Sequence, residues 1–90
     1  MMMTIEFTPT AWEDYEYWET QDKKTLKKIK RLIKDLQRHP ETGEGHPEQL
    51  KENYSGFWSR KINEQDRLVY RIHADRNSVT ITQMRTHYKR

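Results

Sequence analysis

A chain of 90 residues supports one hydrophobic core, because a domain of this size buries only about two-thirds of the surface its unfolded chain exposes; a single domain over residues 1–90 is expected. It is 34% charged, yet three Trp, five Tyr and two Phe supply enough large apolar side chains to exclude a disordered chain. The lack of cysteine excludes a disulfide framework and a thiolate metal site, and no apolar run approaches the ~18 residues of a membrane span.

Thr4 to Thr8 alternates apolar with polar residues and reads as a short strand, after which Thr8-Pro9 pairs a helix cap with proline at the first helical position. The first helix is expected from Pro9 to Thr20, with Trp12, Tyr15 and Trp18 sharing a face against a sheet. Asp22 caps a second helix to about Arg38, whose buried stripe is Leu26, Ile29, Leu32, Ile33 and Leu36, and His39-Pro40 stops it. The turn-forming run from Pro40 to Pro47 is a loop leading into Glu48-Gln49-Leu50-Lys51. Three strands follow, at about 56–63, 66–74 and 78–88, joined by hairpin-length connections. In the middle strand Leu68, Tyr70 and Ile72 point one way and Arg67, Val69 and Arg71 the other. The expected fold is α+β: a short N-terminal strand and two helices packed on one face of an antiparallel sheet completed by a three-stranded meander.

Charge is separated along this order. Residues 1–20 contain five acids and no Lys or Arg, whereas residues 21–38 carry eight Lys/Arg against two Asp, a net +6. The second helix is therefore basic. Residues 51–90 hold nine Lys/Arg against four acids, so two basic regions flank the loop. A lysine-rich helix is ordinarily a solvated face opposite a core stripe. No charged-then-apolar leader precedes Thr4, and a cytoplasmic protein is expected.

Several spaced segments carry a resemblance. Trp12-Glu13-Asp14-Tyr15-Glu16-Tyr17-Trp18, Gly45-His46-Pro47-Glu48-Gln49-Leu50-Lys51, Ser55-Gly56-Phe57-Trp58-Ser59-Arg60-Lys61-Ile62, Asp66-Arg67-Leu68-Val69-Tyr70 and the closing His87-Tyr88 occur in an order that resembles the YoeB-type (Txe/YoeB) toxins of bacterial toxin–antitoxin systems. The resemblance implies a RelE-like fold and a metal-independent endoribonuclease that cuts messenger RNA in the ribosomal A site, with no cofactor. It also implies a homodimer and a YefM/Phd-type antitoxin, through which operator DNA is contacted indirectly.

Cleaving RNA with its own 2′-hydroxyl needs a proton acceptor, a cation on the phosphoryl oxygens and a proton donor for the leaving oxygen. By resemblance these are Glu48 as base, Arg67 as clamp and His87 as acid, with Tyr88 stacking on a base or bonding the phosphate. Arginine offers a planar fork that two phosphate oxygens can share, and imidazole, with an ordinary pKa of about 6.5, donates near neutral pH. Lys51, Lys61 and Arg85 are candidate substrate contacts, although the family more often has arginine at the position of Lys61. With the family in view, Lys23, Lys27, Lys28, Lys30, Arg31 and Lys34 become candidate ribosome contacts. His39, His46 and His73 lack metal-ligand spacing, and no metal site is expected. The alternative is a non-catalytic RNA- or ribosome-binding module, or a decayed toxin retained as a co-repressor with its antitoxin.

Overall fold

The computed structural model describes residues 2–86. Each helix begins on a side chain that satisfies an otherwise orphaned backbone donor. The Thr8 hydroxyl accepts from the Ala11 amide at 3.1 Å, and α1 runs Pro9–Gln21. Asp22 accepts from the Thr25 amide at 3.1 Å and from the Thr25 hydroxyl at 2.7 Å, bonds that hold its carboxyl below the ordinary range. From this cap α2 runs Lys23–Arg38. Among the described residues no helix is long and apolar enough to cross a membrane.

Five strands, β1 (Thr4–Phe7), β2 (Glu48–Gln49), β3 (Phe57–Lys61), β4 (Arg67–His73) and β5 (Ser78–Gln83), form one sheet in the order β1-β5-β4-β3-β2. The α+β class and the antiparallel β3–β4–β5 meander are as expected. The sheet is mixed, however, rather than antiparallel throughout. β1 lies parallel to β5, with Thr4 opposite Ser78 and Phe7 opposite Ile81. Alternation in a short strand marks its apolar face but carries no information about the direction of its neighbour. The two-residue strand β2 pairs antiparallel with β3; it is too short to show a period of its own.

Helix-facing residues of the sheet, Leu68, Tyr70, Val79 and Ile81, pack with Trp18, Leu26, Ile29, Leu32 and Leu36 of the helices in one cluster. Each fully buried aliphatic side chain contributes roughly 1.5–3 kcal/mol. The aromatic stripe of α1 departs from expectation, because Trp18 is buried while Trp12 is 51% exposed. Each three-residue step slips ~60° around a 3.6-residue helix, so positions i and i+6 end ~120° apart. Ala11, Asp14 and Trp18 take the buried face instead. Trp12 stacks on Tyr15 at the margin, with ring centroids 5.7 Å apart.

β5 ends at Gln83, short of the expected limit near residue 88. The backbone of Met84 is taken by α1: its amide donates to the Asp14 carboxylate at 2.8 Å, and the Trp18 indole donates to its carbonyl at 2.9 Å. A residue whose donor and acceptor both serve a helix cannot extend a ladder.

Candidate active site

The face of the sheet opposite the helices carries the polar side chains. Antiparallel register sets Glu48 opposite Ser59, Ser59 opposite Val69, and Lys61 opposite Arg67. Residues opposite one another share a face, so Glu48, Lys61 and Arg67 converge although loop and hairpin separate them in sequence. Arg67 Nη1 lies 3.5 Å from Glu48 Oε1, with the two side chains 49% and 65% exposed. Lys61 also lies 3.3 Å from Glu64, and Lys51 is exposed where the chain enters a 3-10 turn at Glu52–Tyr54. Such an exposed pair adds little to stability, and both of its side chains face solvent.

His87 and Tyr88 lie outside the described residues. Just before them, the Thr86 amide donates to Asp66 Oδ1 at 2.8 Å and the Thr86 hydroxyl donates to the Gln65 carbonyl. Thr86 is thus tied to the turn that opens β4, one residue from Arg67. Arg85 is engaged elsewhere, with its guanidinium 3.4 Å from the centroid of the Tyr17 ring.

Glu48 owes its position to a residue whose role sequence reasoning missed. Arg60 is fully buried, at 0% exposure, and all five of its N–H donors are used. Nη1 donates to Asp35 Oδ2 at 2.6 Å and to the Glu44 carbonyl at 3.0 Å. Nη2 donates to the carbonyls of His39 at 2.5 Å and Thr42 at 2.8 Å, while Nε donates to the Tyr70 hydroxyl at 3.1 Å. The Tyr70 hydroxyl in turn donates to the Pro40 carbonyl at 2.6 Å. The Arg60 guanidinium holds the Asp35 carboxyl below the ordinary range, and burial pushes the Tyr70 phenol up. These bonds fasten the 39–44 loop against the sheet. Gly45 then passes at φ +86, where an added Cβ would lie 2.9 Å from Leu32 Cδ2, and its carbonyl accepts from the Lys61 amide at 2.7 Å. Three residues later the chain delivers Glu48. The signal was available in the alternation of β3: if Lys61 faces the site, Arg60 must face the core.

The basic helix divides into engaged and open cations. Arg31 bonds Glu44 at 2.6 Å, which raises the guanidinium pKa and ties α2 to the same loop. Lys23, Lys27, Lys30 and Lys34 are exposed and Lys28 is half-buried, and none of these five forms an ion pair among the described residues. Nor do three His, Asp or Glu side chains cluster as metal ligands among the described residues.

The model of a YoeB-like toxin of bacterial type II toxin–antitoxin systems matches residues 7–88. The chain is 49% identical over 86 residues to Toxin YoeB of Escherichia coli strain K12, covering 96% of this chain and all of that protein. Its fold is similar to the YoeB dimer from Staphylococcus aureus, with TM-score 0.86 and 42% identity over 98% of this chain and 100% of the other. It is also similar to the toxin in a YoeB–YefM complex from Staphylococcus aureus, with TM-score 0.86 and 40% identity at the same coverage.

Proposed function

Because this chain belongs to the YoeB-like toxins of bacterial type II toxin–antitoxin systems, we propose that it is a cytoplasmic, ribosome-dependent endoribonuclease that cuts messenger RNA in the A site. The observation that carries this reading is the convergence of Glu48 and Arg67, 3.5 Å apart, on the helix-free face, with Thr86 anchored beside Arg67 just before His87. In the proposed reaction the Glu48 carboxylate accepts the proton of a ribose 2′-hydroxyl, and the 2′ oxygen attacks the adjacent phosphorus. Arg67 holds two non-bridging oxygens as charge builds on them. The bond from phosphorus to the 5′ oxygen breaks, and the His87 imidazolium gives that oxygen its proton. A 2′,3′-cyclic phosphate and a 5′-hydroxyl end result, with no oxidant or metal in the balance. Tyr88 contacts the reacting nucleotide, and Lys51 and Lys61 supply positive charge nearby, whereas Arg85 is held on the Tyr17 ring.

The open lysines of α2 support docking on ribosomal RNA by sequence-independent, salt-sensitive contacts. The dimer and the YefM complex seen for the Staphylococcus aureus proteins support a homodimer here, and a YefM-type antitoxin that neutralises it and carries it to operator DNA. The test is expression of wild-type and His87→Gln forms with mapping of messenger 5′ ends. Wild type is expected to arrest growth and cut in phase with the ribosome, and the variant to cut roughly 10²–10⁴-fold more slowly. Equal rates would remove His87 from the mechanism, and failure of both forms to cut would favour a non-catalytic co-repressor.

A further inference from the structure

Along β4, four residues from Arg67, the helix-free face changes from charge to aromatic surface. Phe57 stands opposite Arg71, whose guanidinium carbon is 5.4 Å from the centroid of the phenyl ring. Tyr54 meets the same ring edge-on, with centroids 6.1 Å apart, and is 60% exposed. The turn beneath it is ordered by its own backbone: the Leu50 amide donates to the Phe57 carbonyl at 2.8 Å, and the Tyr54 amide to the Lys51 carbonyl at 3.2 Å. Tyr54 is thus a large aromatic held out into solvent on a fixed turn. Arg71 is exposed and forms no ion pair among the described residues.

We propose that Tyr54, Phe57 and Arg71 form a stacking platform for one unpaired base of the RNA strand that Glu48 and Arg67 hold. This rests on the ribonuclease reading. Four residues of strand place the platform roughly 13 Å from Arg67, a distance that a short stretch of extended oligonucleotide spans. An aromatic ring accepts any base through its π-face, and a neighbouring guanidinium adds a cation–π contribution and attracts the backbone. Lys51 opens the turn that carries Tyr54 and Lys61 lies opposite Arg67, so a cation stands at each end of this path, which favours a polyanion over an apolar peptide.

The experiment uses ribosomes programmed with a message whose attacking 2′-hydroxyl is methylated, with the fluorescent base 2-aminopurine moved stepwise away from the blocked bond. Wild-type protein is expected to quench one position, beyond the scissile phosphate on one side. Tyr54→Ala loses that quenching and needs about 5- to 150-fold more protein for half-saturation, the equivalent of ~1–3 kcal/mol per stacked base. Tyr54→Trp retains both, and a message abasic at that position binds wild type and Tyr54→Ala equally. Cleavage of the unmodified message is measured alongside. If wild type cleaves but no base is quenched, or Tyr54→Ala matches wild type, the platform is overturned and the ribonuclease reading stands. If wild type does not cleave, both fall. An unchanged RNA response with weakened binding of the co-expressed antitoxin would assign the surface to a peptide and overturn the proposal.

Discussion

Arg60 and Arg67 stand on adjacent strands, seven residues apart, and serve opposite ends. Arg60 faces the helices, is wholly buried and spends all five donors on Asp35, Tyr70 and three loop carbonyls. Arg67 faces solvent and, among the described residues, makes one ion pair at 3.5 Å. A guanidinium with no unused donor can only hold structure, whereas one with an open fork can exchange its partner for a phosphate. The two are coupled through the chain, since the loop that Arg60 fastens ends at the carboxylate that meets Arg67. The chain is therefore fastened at Arg60 and open to solvent at Arg67, where the proposed reaction takes place.

The contrast is broken most directly at Arg60. Replacing it by Met leaves three carbonyls without their donor and Asp35 with only the Glu44 amide, and a loss of about 3–5 kcal/mol in unfolding free energy is expected from urea titration. A variant that unfolds at the wild-type midpoint would refute the anchoring role. Arg67→Lys should show the reverse pattern. Cleavage falls about 10²–10³-fold, the effect of losing one well-placed donor to the transition state, while unfolding stays within ~1 kcal/mol of wild type. Large destabilisation with intact cleavage would make the two arginines alike.

The smallest effect sharpens the comparison through pH. Asp35 has its folded pKa lowered, first by the hydrogen bond from Arg60. Its contribution is therefore present above the ordinary aspartate value of about 3.9 and is lost as pH falls through the lower folded value. Asp35→Asn should cost about 1–3 kcal/mol near neutrality, and the gap from wild type should narrow in melts taken progressively below pH 4. A gap that is constant with pH would show that charge at Asp35 does not matter.

The caps at Thr8 and Asp22, the stripe of α2 and the two faces of β4 were legible because each depends on residues within a few positions of one another. Trp12 stands off the buried face because spacing by threes drifts around a helix. The direction of β1, the existence of β2 and the early end of β5 were not legible at all. Each is decided by a distant partner: Ser78 to Ile81 for β1, Ser59 and Trp58 for β2, and Asp14 with Trp18 for the chain at Met84. Within the site, composition and spacing alone did not single out Glu48 or Arg67. The family motif did, and register then showed why two residues nineteen positions apart belong together.

By itself the sequence determined the α+β class, the helix starts, the basic character of α2 and membership of the toxin family, since these rest on local chemistry and on motifs in order. Only the tertiary structure decided which arginine is spent and which is available. That distinction depends on what lies across the strand and behind the loop. Side-chain alternation can assign Arg60 and Arg67 to opposite faces, but only the packed chain brings three loop carbonyls to one guanidinium and a carboxylate to the other.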